Sequence, residues 1–386
     1  MKPLSKRRIF SPGPTPLLPQ AILEPLLVPM HHRKEDFKQV FREVQNGLKE
    51  LLGTANDIIL LSSSGSGAME AAVTNLLAPG EKALVAVAGK FGERWAELAR
   101  AYDVRAEVLE FPYGESIDPQ AVDRALARDS QIAAVFMQAT ETSTGARMDV
   151  EAIARAVRSR GEAVLVVDAI TGLGTMPLET DAWGLDIVIG GSQKAFMVPP
   201  GVAILSVSER AWKRVESCAR PRYYFDLRRE RDGQREGLAS VTPSISVVQG
   251  MRVALQTMLQ GGRGACIENA RLQAGAVRAA CASWGLKLLP RNPADAITAI
   301  VLPGGVDPSR VIAILRDRFG AHIEGGQGSL KGRIVRVGHL GYFDFLETLG
   351  LVGCLELALA EAGTRLEIGS GTRAALEHYR AAVGAA

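Results

Sequence analysis

The chain has 386 residues, 47% hydrophobic and 23% charged, enough to bury the core of a large domain and a smaller one. Its 45 basic and 42 acidic residues leave a formal charge of +3, which argues against a global electrostatic footprint for nucleic acid. The longest apolar stretches, such as Ala163 to Val167, are far short of a bilayer span. Four scattered cysteines with no C-x-x-C pair disfavour a zinc site or a disulfide framework. No apolar signal core precedes Ser11-Pro12-Gly13-Pro14, so a soluble cytoplasmic protein is expected, with Lys6-Arg7-Arg8 as a solvated end.

Residues 11–19 carry four prolines and read as an extended lead-in. The apolar spacing from Phe37 to Leu52 predicts an amphipathic helix. Short apolar strands then alternate with helical patterns. Strands are predicted at 58–61, 83–87, 106–110, 133–137, 164–168, 187–189 and 202–207, with helices near 68–77, 93–102 and 150–159. Continuous apolar strands separated by helices predict an α/β fold, a mostly parallel sheet flanked by helices. Residues 220–243 read as irregular and charged, and a helix over 246–260 stops at Gly261-Gly262. Further helices at 267–284, 308–319 and 345–362, with strands at 296–302 and 334–337, suggest a smaller α+β domain. The expected division is a lead-in over 1–20, a large domain over 21–261 and a small C-terminal domain over 262–386, whose last segment from Thr364 is an appended helix.

Three places carry chemistry. The strand at 58–61 runs into Ser62-Ser63-Ser64-Gly65-Ser66-Gly67 and then a helix, where free backbone N–H groups and the helix dipole suit a phosphate. The run lacks the Gly-Lys-Ser/Thr of a P-loop and the third glycine of a dinucleotide fingerprint, and a plain flexible turn would look the same. Asp168 ends a buried strand, on the edge where open α/β sheets bind ligands, although an ordinary helix cap is the alternative. Lys194 follows a short apolar strand and Gly190-Gly191-Ser192-Gln193, ahead of Pro199-Pro200-Gly201. Most lysines are solvated, but desolvation here would lower the amine pKa and make it nucleophilic. One cofactor explains all three. Pyridoxal 5'-phosphate (PLP) needs a phosphate cradle, a carboxylate for its ring nitrogen and a lysine for its aldehyde.

With these residues in place the chain closely resembles the class V, fold-type-I aminotransferases, particularly the alanine–glyoxylate and serine–pyruvate/serine–glyoxylate group. The resemblance rests on SGSGAMEAAV (64–73), GKFGERW (89–95), ETSTG (141–145), VVDAITGLG (166–174), GSQKAFMVPPG (191–201) and RVGHLG (336–341). It implies that Ser64, Gly65 and Ser66 hold the phosphate with help from Gln193. Phe91 would stack on the pyridine ring and Ile170 on its other face, with Thr142 near the ring hydroxyl. Asp168 would pair with the ring nitrogen, and Lys194 would form the Schiff base and shuttle the proton. Arg336 would bind the substrate carboxylate in a pocket framed by Pro14 and Thr15. A homodimer with shared active sites is also implied, in which Thr242 completes the partner's phosphate site.

Two segments depart from the family. Met30-His31-His32-Arg33-Lys34-Glu35 replaces a Gly-His-Arg-Ser-Pro-like run, and consecutive histidines without a third ligand do not make a metal pair. Around Ser240-Val241-Thr242-Pro243 only Thr242 matches a phosphate-binding hydroxyl. Cysteine desulfuration is disfavoured, because Gln193 precedes the lysine, Phe91 takes the stacking position and Cys354 falls in a predicted helix. The expected reaction moves the amino group of alanine or serine to glyoxylate or pyruvate. Transamination of ureidoglycine or an aminophosphonate, and a non-catalytic scaffold subunit, are the alternatives. Only Arg336 sits in a motif placed near the ring, with Arg33 as the other candidate, so a dicarboxylic donor lacks its second cation.

Overall fold

The structure, a computed structural model, describes residues 6–384. The start of the expected lead-in and the last two residues of the expected terminal helix lie outside them. Seven strands form one sheet in the order Asp57–Leu61, Ala203–Val207, Ile187–Gly191, Val164–Asp168, Ile132–Gln138, Lys82–Val87, Arg105–Glu110. All are parallel except Ala203–Val207, which runs antiparallel to both neighbours. Their apolar runs follow from burial on two faces. Leu165 and Val167 enter one core with Phe37, Val44 and Leu255, while Val164 and Val166 enter another with Met69, Trp95 and Trp212.

Parallel alignment brings the carboxyl ends of six strands to one edge. From that edge depart the Ser62–Gly67 loop, Gly89–Phe91, Glu141–Gly145, Asp168 and Lys194. The chemistry-bearing segments, far apart in sequence, become neighbours for this topological reason.

The small C-terminal domain has a four-stranded antiparallel sheet in the order Lys287–Leu288, Ile297–Val301, Ile334–Gly338, Glu324–Gly325. Its core gathers Val277, Ile300, Leu315, Val335 and Val352, and it also takes Phe10 from the N-terminal segment. Arg8 is therefore no mere solvated end: Arg8–Ile9 forms a short parallel pair with Ala321–His322.

Five α-helices escaped the sequence reading, the short Thr180–Trp183 and Glu209–Ser217 among them. Pro19–Leu27 begins at a proline, which tolerates the first helical turn because its missing N–H would be unpaired there anyway. Pro119–Arg128 carries a proper start signal, an Asp118 side chain that accepts from the Gln120 N–H. Leu227–Arg235 lies inside the segment expected to be irregular. Its inward face is partly polar: Gln234 donates to the Leu60 carbonyl at 2.7 Å and accepts from the Leu60 N–H at 2.8 Å, satisfying an edge strand. Hydrophobic periodicity cannot register a face of that kind. Among the described residues no helix is long and apolar enough to cross a membrane.

The appended helix, Ser370–Val383, is held by a buried carboxylate on its neighbour. Its cap residue Gly369 has no side chain to offer. Glu356 instead accepts from the Gly369 and Gly371 N–H groups at 2.9 and 2.8 Å and from the Trp284 indole at 2.9 Å. Burial alone would raise the Glu356 pKa, but these hydrogen bonds outweigh it and hold it below the ordinary value. Glu356→Ala should cost about 1–3 kcal/mol of stability, because it leaves buried donors unpaired. Hydrogen exchange should show protection lost first across 370–383. Since the folded-state pKa is depressed, the wild-type contribution is present at neutral pH and fades as pH falls below the ordinary glutamate range. An unchanged exchange pattern would show that packing alone docks the helix.

Candidate active site

Lys194 is placed by contacts from both sides. Behind it, Ser192 donates to the Pro199 carbonyl at 2.8 Å and accepts from the Val202 N–H at 3.2 Å, closing the turn that carries the lysine. In front, the N-terminal segment crosses the site. The Thr15 hydroxyl donates to the Lys194 carbonyl at 2.7 Å, and the amine itself donates to the Pro12 carbonyl at 2.5 Å. At Gly13 a side chain would collide with the lysine side chain, and its φ of +139° disfavours any residue but glycine. Thr15 thus spends its hydroxyl on Lys194, while Pro14 is exposed. Burial lowers the amine pKa to about 8; Asp168 opposes the shift, and Arg336 and Arg94 reinforce it.

Asp168 is 5% exposed at the end of its strand. One carboxylate oxygen accepts from the Ile170 N–H at 2.9 Å and the other takes no hydrogen bond within the described residues. It holds a turn rather than capping a helix, which next begins only at Thr180, and still has an oxygen to spare. Burial raises its pKa to about 6, with the nearby Glu141 charge adding to the rise and the Ile170 hydrogen bond, Arg94 and Lys194 opposing it. At neutral pH the carboxylate is mostly ionised.

The Ser62–Gly67 loop opens the helix Gly65–Leu76, whose N-terminus has no side-chain cap. Ser64 is exposed there, and Gly65 passes so close to Ile170 that a side chain would strike it. Ser66 Oγ accepts from Arg94 at 3.0 Å. Gln193 Oε1 is buried with no hydrogen-bond partner. Uncapped helix N–H groups, free hydroxyls, a spare carboxylate oxygen and a desolvated lysine form a donor and acceptor set that fits pyridoxal phosphate.

Phe91 is half-buried and belongs to none of the hydrophobic cores, so it is not simply a core phenylalanine. Arg94 lies over its ring at 4.9 Å. The helix that carries it, Lys90–Ala101, also lacks a cap of its own. Glu141, fully buried, reaches across to accept from the Phe91 and Gly92 N–H groups at 3.1 and 3.2 Å, and from Ser143 Oγ at 2.6 Å. Desolvation raises its pKa against those hydrogen bonds. Next to it, the Thr142 hydroxyl pairs with Thr171 at 2.8 Å. Arg336 is 3% exposed in mid-strand. Its Nε donates to the Gly325 carbonyl at 2.8 Å and its Nη1 to the Thr142 carbonyl at 3.0 Å. Nη2 makes no hydrogen bond within the described residues. Thr242 is exposed and makes no hydrogen bond among the described residues, two residues before Ser244, whose N–H donates to Ser62 Oγ at 3.2 Å.

The structure corrects one expectation outright. A second arginine does belong to the site: Arg94 is close enough to influence both Asp168 and Lys194, whereas Arg33 is exposed. Arg94 and Glu141 are the residues of the site that the sequence reading missed. Both lie in motifs already singled out, and Arg94 stands three positions after Phe91 on the same helical face. Among the described residues no cluster of His, Cys, Asp and Glu could hold a metal, and the cysteines are free.

A family model described as aminotransferase class-V matches residues 27–340. The chain is 36% identical to a protein named soluble hydrogenase, small subunit, from Synechococcus sp., over 96% of this chain and 97% of that one. It is 31% identical to the serine–glyoxylate aminotransferase of Methylorubrum extorquens, over 97% and 96% of the two chains. A solved aspartate aminotransferase of subgroup IV from Thermus thermophilus superposes with a TM-score of 0.86 at 36% identity, covering 92% of this chain and 99% of that one.

In the cofactor-free protein the Lys194 amine should react with an amine-directed reagent at a rate that rises with pH through about 8, since the neutral form above its pKa is the nucleophile. Peptide mapping of the labelled protein across a pH series measures this. A midpoint near the ordinary lysine value of 10.5 would mean that water reaches the amine.

Proposed function

Since this chain belongs to the class-V aminotransferases and is a pyridoxal-phosphate-dependent transaminase, we propose that it moves the amino group of a small amino acid, alanine or serine, to glyoxylate or pyruvate, with Lys194 as the residue that binds the cofactor. The observation that carries this reading is one edge of one sheet on which a desolvated lysine, an ionised buried aspartate and an uncapped helix N-terminus converge.

When bound, pyridoxal phosphate supplies an aldehyde carbon that takes up amino groups and a ring that draws electrons from the adjoining carbon. Ser64, Gly65, Ser66 and Gln193 would hold its phosphate. Asp168 would use its spare oxygen to keep the ring nitrogen protonated, Phe91 and Ile170 would pack against the ring, and Thr142 would serve the ring hydroxyl. Arg336, already fixed at Nε and Nη1, offers Nη2 to the substrate α-carboxylate. Lys194, whose amine donates to the Pro12 carbonyl in the absence of cofactor, has a lowered pKa that would suit it to move the proton of the substrate α-carbon. The small-donor reading rests on Arg336 serving a single carboxylate while Arg94 is engaged at the phosphate loop.

A homodimer with shared active sites completes the proposal. Leu23, Leu26 and Leu27 on the helix Pro19–Leu27 are 56, 74 and 79% exposed, an apolar face suited to a second copy, and Thr242 is free to reach a neighbouring phosphate site. Light scattering should give a dimer. A fully active monomer would refute shared sites.

The deciding experiment mixes the PLP form with alanine, serine, glutamate and aspartate, and follows both the bleaching of its visible band and steady-state turnover. Alanine or serine should be the best donor; a wide preference for aspartate or glutamate would overturn the small-donor reading. A protein that develops no such band with PLP would instead be a scaffold. Asp168→Asn should still take up PLP but slow turnover about 10²–10³-fold, because the ring nitrogen loses its charged partner. Arg336→Ala should raise KM for every amino acid, costing about 2–4 kcal/mol in kcat/KM.

A further inference from the structure

The phosphate loop carries no formal charge. Ser64, Gly65, Ser66 and Gln193 offer hydroxyl, backbone and amide groups, and the helix end adds roughly half a positive charge. A phosphate monoester brings a charge of about −1.5 to −2, so a cation nearby would account for the balance. Arg94 meets that need in three respects. It is partly buried yet pairs with no carboxylate among the described residues, whereas its helical neighbours Lys90 and Glu93 pair with each other. Its Nη1 donates to Ser66 Oγ at 3.0 Å, which occupies an oxygen lone pair and leaves the Ser66 hydroxyl proton free to donate. Its guanidinium also lies 4.9 Å from the centre of the Phe91 ring, so one side chain braces the aromatic and the phosphate loop together.

We propose that Arg94 is the positioning cation of the phosphate cradle, orienting Ser66 as a donor and making the site select the phosphorylated form of its cofactor over the unphosphorylated one. The inference rests on the placement of pyridoxal phosphate described above. Arg94 acts through Ser66 and through its own charge, and its field already reaches Lys194.

The test uses the full-length protein stripped of cofactor and titrated separately with PLP and with pyridoxal, with uptake read by absorbance. Arg94→Gln should weaken PLP binding about tenfold or more while leaving pyridoxal binding within about twofold, and Arg94→Lys should recover part of the loss. Thermal melts of the cofactor-free variants establish that each is folded. Equal losses for PLP and pyridoxal would overturn the proposal and reduce Arg94 to a brace for Phe91. So would unchanged PLP binding in Arg94→Gln, or an effect confined to the KM of dicarboxylic donors. Failure of the wild-type protein to take up either compound would overturn the cofactor placement itself, a result distinct from any failure of the variants.

Discussion

A lysine amine removed from water loses the solvation of its charge, and the rest of this site is arranged around that loss. The Lys194 pKa falls to about 8 although a carboxylate sits close by, because desolvation and two guanidinium groups outweigh the attraction of Asp168. Asp168 feels the opposite pressure: burial carries it up to about 6. The two groups therefore straddle neutral pH, the lysine near the point where it can give up a proton and the aspartate just past the point where it has done so. Glu141, buried beside them, is the like charge that keeps Asp168 from ionising more easily.

The N-terminal segment ties this electrostatic arrangement to the fold. Ile9 pairs with the small domain, Phe10 enters its core, and the Phe10 carbonyl accepts from the Gly338 N–H at 2.7 Å. Two residues before Gly338 on the same strand stands Arg336. The chain then passes over Lys194 at Pro12–Thr15 and joins the large domain as the helix Pro19–Leu27. One N-terminal stretch of chain thus connects the lysine, the arginine strand and both domains. Gly338 allows this, because a side chain there would strike the Ser11 carbonyl.

Arg336 and Arg94 are held in the site in different ways. Arg336 is locked by two backbone carbonyls with one nitrogen left over, a geometry suited to a carboxylate. Arg94 is bound to a serine hydroxyl and an aromatic face and carries a charge without a counter-ion among the described residues. Glu141 supports both. It caps the helix of Phe91 and Arg94 with its side chain, and its chain neighbour Thr142 supplies the carbonyl that holds Arg336.

Much of this was legible in the sequence because the signals were local. The apolar strands, the Ser/Gly turn, Asp168 at a strand end and Lys194 after a glycine pair follow from residues adjacent in the chain, and the order of the motifs pointed to one cofactor. The helix Leu227–Arg235 did not show, since its inward Gln234 is justified only by the edge of a strand more than a hundred and fifty residues earlier. Arg94 and Glu141 were likewise present but mute. A charged residue on a helix and an acid at the head of a loop are ordinary until the sheet brings them against Ser66 and Phe91. Local covalent order determined which strands and turns could form and which residues could bear chemistry. Which of them meet, which charges lose their water and which arginine faces which anion were decided by tertiary structure, because desolvation and ion pairing depend on distances that chain order does not set.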